Sequence, residues 1–300
     1  MKNNTILEFY RFSLINKTKE QQVLSFYNEE EDLLDTLNDF CIHIFENVKK
    51  YTDNQGKFRT FTLATLPIIK KDDRIIHGFL DSAYTGEYGK IKDRKTNGVK
   101  YNLDRNDLFS KEFFYLIYVP KGSKFGFLVI QKKENHGVKT IFETAFNNFM
   151  LYKGVSNYKI ELRQAPPRYY LSNFLNKGEV KEVRLIRENV ERTEMTLQKE
   201  ERILKLKKED AFSKVIKEVL FQLYQTKIED NQKISFLNYG NFDEISFVLN
   251  YNGICKTFYI KRKDKIRSNI DVSNLINFDN EIPNLVSLIE VSLEIINQAA

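Results

Sequence analysis

The sequence predicts an α+β fold of two domains, in which mostly antiparallel sheets carry amphipathic helices packed on them. Three observations predict it. Apolar residues recur at helical spacing in four separate segments. Between these lie short apolar or alternating runs bounded by turn residues. Each half of the 300-residue chain carries strands followed by a helix, and that length leaves volume for a sizeable core.

The chain opens on an alternating strand, ILEFYRF at 6–12. Leu33, Leu34, Leu37, Phe40, Cys41, Ile44, Phe45 and Val48 then mark one face of a helix. Glu29, Glu30, Glu31 and Asp32 crowd its first turn and Lys49 and Lys50 its last, as the helix dipole favours. His43 falls off the apolar stripe beside Asp39 and Glu46, so it reads as a solvated residue. From Phe58 the pattern turns to strands, FRTFTLATLPII and then IIHGFLD. The polar, glycine-punctuated stretch 84–107 reads as a long loop or an irregular hairpin.

FFYLIYV at 113–119 and FGFLVI at 125–130 are apolar at successive positions, which implies burial on both sheet faces and a hairpin between them. Val138, Ile141, Phe142, Ala145, Phe146, Phe149 and Met150 form the stripe of a second helix packed on that sheet. YKIELR and VKEVRLI are strands separated by a Pro166-Pro167 turn. The charge-dense segment 188–210 reads as a solvated helix or a linker. It divides the chain into a domain at 1–190, with central hairpin 113–130 and helix 138–150, and a smaller one at 191–300. A third helix follows on Ala211, Phe212, Val215, Ile216, Val219, Leu220 and Leu223. Asn252-Gly253 between two strand-like runs marks a tight hairpin over 245–260, because both residues tolerate positive φ. A last helix over 282–297 is expected to bury Ile282, Leu285, Val286, Ile289, Leu293 and Ile296.

Composition bounds the class. Hydrophobic residues at 42% and aromatics at 13% exclude a disordered chain, and the Lys-, Asn- and Ile-rich usage suits an AT-rich bacterial genome. Cys41 and Cys255 both sit among apolar neighbours, so two buried thiols in a reducing cytoplasm are expected. The N-terminus lacks an apolar core of leader length, and no run approaches the ~18 apolar residues of a membrane span. The expectation is a cytoplasmic protein with no membrane partner. A net charge of +6 permits contact with nucleic acid or an acidic protein.

One stretch invites a catalytic reading. Restriction-type nucleases place an acid on one strand and Glu/Gln-x-Lys on its antiparallel neighbour, so that Mg²⁺ polarises the phosphate and the lysine aligns the nucleophile. Gln131 and Lys133 share a strand face by alternation, and the hairpin would bring Glu112, or Asp107 just before it, alongside. Asp104 is a further acid within reach. The bland account is that Gln131, Lys132, Lys133 and Glu134 mark where a buried strand meets water, and a two-residue motif matches by chance in most lysine-rich chains. The second hairpin repeats the pattern with Asp243, Glu244 and Lys261, but Tyr259 stands where an acidic ligand is required. His43, His77 and His136 lack partners at zinc-ligand spacing, and no glycine-rich phosphate loop is present.

Basic clusters point to phosphate. Lys261, Arg262, Lys263, Lys265 and Arg267, with Lys256, stand against the single acid Asp264 in KTFYIKRKDKIRSN, and the alternative is a solvated loop that discourages edge-to-edge pairing. Arg184, Arg187 and Arg192 alternate with Glu182, Glu188 and Glu191, as in surface ion pairs or a protein-binding face. Lys90, Lys92, Arg94 and Lys95 lie on the long loop.

The run YLIYVPKGSKFGFLVIQKKENHGVKTIFETAF, a hairpin and then a helix, resembles stretches of uncharacterised bacterial proteins encoded among phage-defence genes. The resemblance spans 113–150 and carries no catalytic signature. It implies a cytoplasmic role in recognising or restricting invading DNA, with protein partner subunits. The leading expectation is therefore a non-catalytic nucleic-acid- or partner-binding subunit of a bacterial antiviral system, without cofactor. Two alternatives stand beside it. One is an Mg²⁺-dependent nuclease on Asp107, Glu112, Gln131 and Lys133; the other is a regulatory subunit with no affinity for nucleic acid.

Overall fold

A strand whose every residue is apolar must be covered on both sides, and the central hairpin organises the fold for that reason. The computed structural model describes residues 4–28, 30–52, 58–84, 88–133, 138–165, 168–192, 195–207 and 211–297. Along the chain come β1 (Ile6–Asn16), α1 (Leu33–Glu46), β2 (Lys49–Thr52), β3 (Phe58–Leu63), β4 (Ile68–Lys70), β5 (Ile75–Tyr84), β6 (Gly89–Lys92) and β7 (Val99–Leu103). There follow β8 (Phe109–Tyr118), β9 (Gly126–Lys132), α2 (Lys139–Tyr152), β10 (Tyr158–Gln164), α3 (Arg168–Lys177), β11 (Glu179–Arg192), β12 (Met195–Lys205) and α4 (Ala211–Gln225). The last elements are β13 (Ile234–Ser235), β14 (Asn241–Phe242), β15 (Glu244–Tyr251), β16 (Ile254–Tyr259), β17 (Asn269–Asp271), β18 (Phe278–Asp279), β19 (Ile282–Pro283) and α5 (Leu285–Asn297). The class is α+β, as expected.

The chain forms two compact units, Met1–Ala165 with Asn269–Leu293, and Pro166–Ser268 with Glu294–Ala300. The position expected for the boundary, 190/191, lies inside β11, and the units divide instead between Ala165 and Pro166. The segment read as a helix or linker is a long antiparallel ribbon, β11 with β12, in register from Glu182↔Lys205 to Arg192↔Met195. Opposite charges across neighbouring strands support it: Arg184 meets Glu201, and Arg187 meets Glu200, each at 3.8 Å.

In the first unit a mixed-length antiparallel sheet runs β10-β1-β9-β8-β5-β3-β2, with β17 also on β1 and β4 on β5. Phe113, Phe114, Tyr115, Leu116 and Ile117 are all buried, so both faces of β8 are covered. Tyr10, Phe12, Leu80, Phe113, Tyr115 and Leu128 face the core shared with α1 and α2. There Phe40 of α1 makes edge contacts with Phe142 and Phe146 of α2, at 5.5 and 5.2 Å between ring centres. Gly126 opens β9 because a Cβ there would stand 2.3 Å from the Phe12 ring and 2.6 Å from the Tyr118 carbonyl oxygen. Asp32 caps α1 through the Leu34 N–H at 2.9 Å and also holds the Arg74 guanidinium bidentately.

The second unit carries the sheet β12-β11-β15-β16 with α3 and α4. Asn252 (φ 51°) and Gly253 (φ 81°) make the tight turn between β15 and β16 that the sequence predicts. Three expectations are corrected. α3 occupies a segment read only as a turn between strands. Cys255 is exposed, whereas Cys41 is buried with its thiol pushed up to about 12 by desolvation. The last helix begins at Leu285, because Pro283 has no N–H and Asn284 supplies the cap to Ser287 N at 3.1 Å. Ile282 and Val286 are thus exposed, and Leu288, Val291, Ile295 and Ile296 form the buried face with Ile289.

Candidate nucleic-acid interface

The polar stretch between β5 and β8 contains a small two-stranded ribbon, β6 with β7, that pairs with no other strand among the described residues. Alternation places Lys90 and Lys92 on one face, and the paired Ile91 and Tyr101 on the other. Lys90, Lys92, Arg94 and Lys95 are all exposed. Residues 88–111 hold seven lysines and arginines against three carboxylates.

All three carboxylates are engaged within this segment. Asp93 accepts the N–H groups of Lys95 and Thr96 at 2.9 and 3.0 Å, and pairs with Lys100 at 2.8 Å. These donors hold its carboxyl at about 2, below the ordinary 3.8. Asn97, at φ 56°, closes the same turn. Asp104 accepts the Asn106 N–H at 3.3 Å. Asp107 accepts the Tyr101 hydroxyl at 2.7 Å and the Asp104 N–H at 2.8 Å, which lowers its pKa. The acids therefore shape the turns; of the three only Asp104 is exposed, against six exposed lysines and arginines, so the outward-facing charge is predominantly cationic. Aromatic side chains accompany it: Tyr88 is 68% exposed with Arg105 stacked 4.9 Å from its ring centre.

The 261–267 cluster is arranged differently. Glu244, buried on β15, accepts the backbone N–H of Arg262 at 3.1 Å and its Nε at 3.0 Å, together with the N–H groups of Lys261 and Ile245. Lys261 Nζ donates to the Asp230 carbonyl at 3.1 Å. Lys263 Nζ donates to the Thr226 carbonyl at 3.4 Å and sits 4.9 Å from the Tyr224 ring centre. These three cations tie loops together, whereas Lys265 and Arg267 are exposed. Arg184 pairs with Glu182 and Glu201, in line with surface ion pairing; the side chains of Glu191 and Arg192 lie outside the described residues.

At the end of the central hairpin, Gln131 Oε1 accepts the Phe114 N–H at 3.3 Å, so this side chain supports the neighbouring strand. Continuing the β8–β9 register from Tyr115↔Ile130 brings Glu112 level with Lys133. Burial pushes the Lys133 ammonium down, and the Glu112 carboxylate opposes that shift. On the other side Glu112 faces Asp81 of β5, whose Oδ1 accepts the Ser110 hydroxyl at 2.5 Å. The structure thus assembles Asp81, Glu112 and Lys133 in one row, and leaves Asp107 with Tyr101. Asp81 escapes sequence inspection because only the pairing register reveals it. Among the described residues, no group of three or more His, Cys, Asp or Glu side chains is placed to hold a metal ion.

His43, expected in solvent, is half-buried. His43 lies against the Phe149 and Tyr152 rings, at 5.2 and 5.0 Å, with Nε2 2.8 Å from Lys49 Nζ. His77 is buried, with neither ring nitrogen hydrogen-bonded among the described residues. His136 lies outside them. No helix among the described residues is long and apolar enough to cross a membrane. No protein-family model matches the chain, and no curated protein does.

Proposed function

We propose that this chain is a non-catalytic nucleic-acid-binding subunit whose contact surface is the β6–β7 ribbon. One observation carries the reading: Asp93 is engaged in the β6–β7 turn and Asp104 and Asp107 in the connection after β7, with Asp104 alone of the three exposed, while Lys90, Lys92, Arg94 and Lys95 stand in solvent. Cations so placed neutralise phosphates and release counterions, which gives affinity without sequence readout. The resemblance of 113–150 to phage-defence proteins supplies the setting, a bacterial antiviral system with protein partner subunits in the cytoplasm. Titration of labelled oligonucleotides at two salt concentrations tests the proposal. Binding should weaken as salt rises and should fall in a Lys90→Ala/Lys92→Ala variant; affinity that neither change reduces contradicts it.

A second reading is favoured by the row Asp81–Glu112–Lys133, an Mg²⁺-dependent nuclease. The Asp81 and Glu112 carboxylates would hold the ion, which polarises a phosphate when bound, and Lys133 would orient the attacking water. Mg²⁺-dependent cleavage lost in both Glu112→Gln and Lys133→Ala, with the fold intact, would support it. Cleavage that survives Lys133→Ala would reject it.

A further inference from the structure

We infer that the ribbon takes single-stranded rather than duplex nucleic acid, with the Tyr88 ring as a stacking platform for an unpaired base. The inference rests on the reading of the ribbon as the nucleic-acid contact. A duplex presents phosphates and base edges, because its base faces are covered within the stack. An interface for duplex backbone alone needs cations and hydrogen-bond donors, and gains little from apolar rings. The ribbon offers both kinds of group. Tyr88 is 68% exposed, Tyr101 49%, Phe109 51% and Ile91 46%. Tyr88 precedes β6 on the Lys90/Lys92 side by alternation, Ile91 and Tyr101 are exposed on the other face, and Phe109 opens β8; an exposed ring beside cations finds its complement in a base face.

The cations sit where a single strand would need them. Arg105 stacks on the Tyr88 ring at 4.9 Å and Lys111 on the Phe109 ring at 5.5 Å, so each ring comes paired with a phosphate-binding group. Guanidinium planes are themselves stacking surfaces for unpaired bases. From Tyr88 the chain passes Lys90 and Lys92 at alternate positions, about 7 Å apart along the strand, before Arg94 and Lys95 at the tip. A base on Tyr88 therefore leaves its phosphates beside a line of ammonium groups on one face.

The test is a competition between single strands and a hairpin duplex of the same composition, as DNA and as RNA side by side, with the full chain and three variants. Either single strand, DNA or RNA, should bind at least about tenfold more tightly than its duplex, and Tyr88→Ala should weaken single-strand binding about tenfold, the loss of one stacked base. Tyr88→Phe should retain single-strand affinity, and duplex affinity should be unmoved by Tyr88→Ala. Lys92→Ala should weaken both forms, since it removes a phosphate contact. Duplex binding as tight as single-strand binding, or a Tyr88→Ala variant with unchanged single-strand affinity, overturns the inference while leaving the ribbon as the contact. Absence of binding to either form overturns both.

Discussion

Asp93 and Lys100 form an ion pair at 2.8 Å within the β6–β7 hairpin, and the same carboxylate caps the turn through Lys95 and Thr96. One acid thereby shapes the tip from which Arg94 and Lys95 project. Replacing Asp93 by Ala should speed amide exchange across 89–103 and leave β8 and β9 unchanged. Acid should act likewise. The Asp93 carboxyl lies at about 2 in the fold against an ordinary 3.8, so its contribution is full above 3.8 and is lost as pH falls towards 2. Hydrogen exchange followed by mass spectrometry checks both; uniform exchange along the ribbon in the variant and the parent would refute the capping role.

Salt dependence counts the contacts. Each phosphate neutralised on a single strand contributes a slope of about 0.7 to the fall of log affinity with log salt concentration. The Lys90→Ala/Lys92→Ala variant should reduce that slope by about 1.4 if both lysines meet phosphates. An unchanged slope would place the phosphates elsewhere.

Glu244 and Arg262 should prove structural. Glu244→Ala strips acceptors from two loop N–H groups and from the guanidinium, and should lower stability by about 2–4 kcal/mol in urea unfolding. Arg262→Ala should cost less, because that side chain is 36% exposed, and should leave nucleic-acid affinity unchanged. A large affinity loss in folded Arg262→Ala would return the 261–267 cluster to the interface.

His77 should make the first unit sensitive to mild acid. Burial holds its pKa below 6.5, so the unfolded chain binds a proton that the fold refuses as pH falls through 6.5. Stability should be full above that pH and decline below it. His77→Leu should flatten the decline, as read from urea midpoints on either side of pH 6.5; an equal decline in the variant would assign it to other groups.

These sites show what a linear reading can reach. The stripes of α1 and α2 are legible because one apolar face at helical spacing has few other uses, and Asn252-Gly253 is legible because few other residue pairs tolerate that turn. The β11–β12 ribbon is not, since Lys199, Glu201, Arg202, Ile203 and Lys205 are all exposed on an edge strand and no buried period betrays it. The return of 269–293 to the first unit is equally hidden: Leu7↔Ile270 and Glu8↔Asn269 are pairings across most of the chain. For the candidate interface, Lys90, Lys92, Arg94 and Lys95 are visible as a basic run. Their outward role depends on where Asp93, Asp104 and Asp107 turn, which only the fold decides. Similarly, Glu112 and Lys133 are foreseeable partners, whereas Asp81 joins them only through the β5–β8 register.

The most direct test of the central claim is ultraviolet crosslinking of the full chain to a single-stranded oligonucleotide, with the attached peptides mapped by mass spectrometry. Crosslinks should concentrate in 88–111, with Tyr88 prominent among them. Crosslinks confined to 261–267, or scattered without any in 88–111, would contradict it.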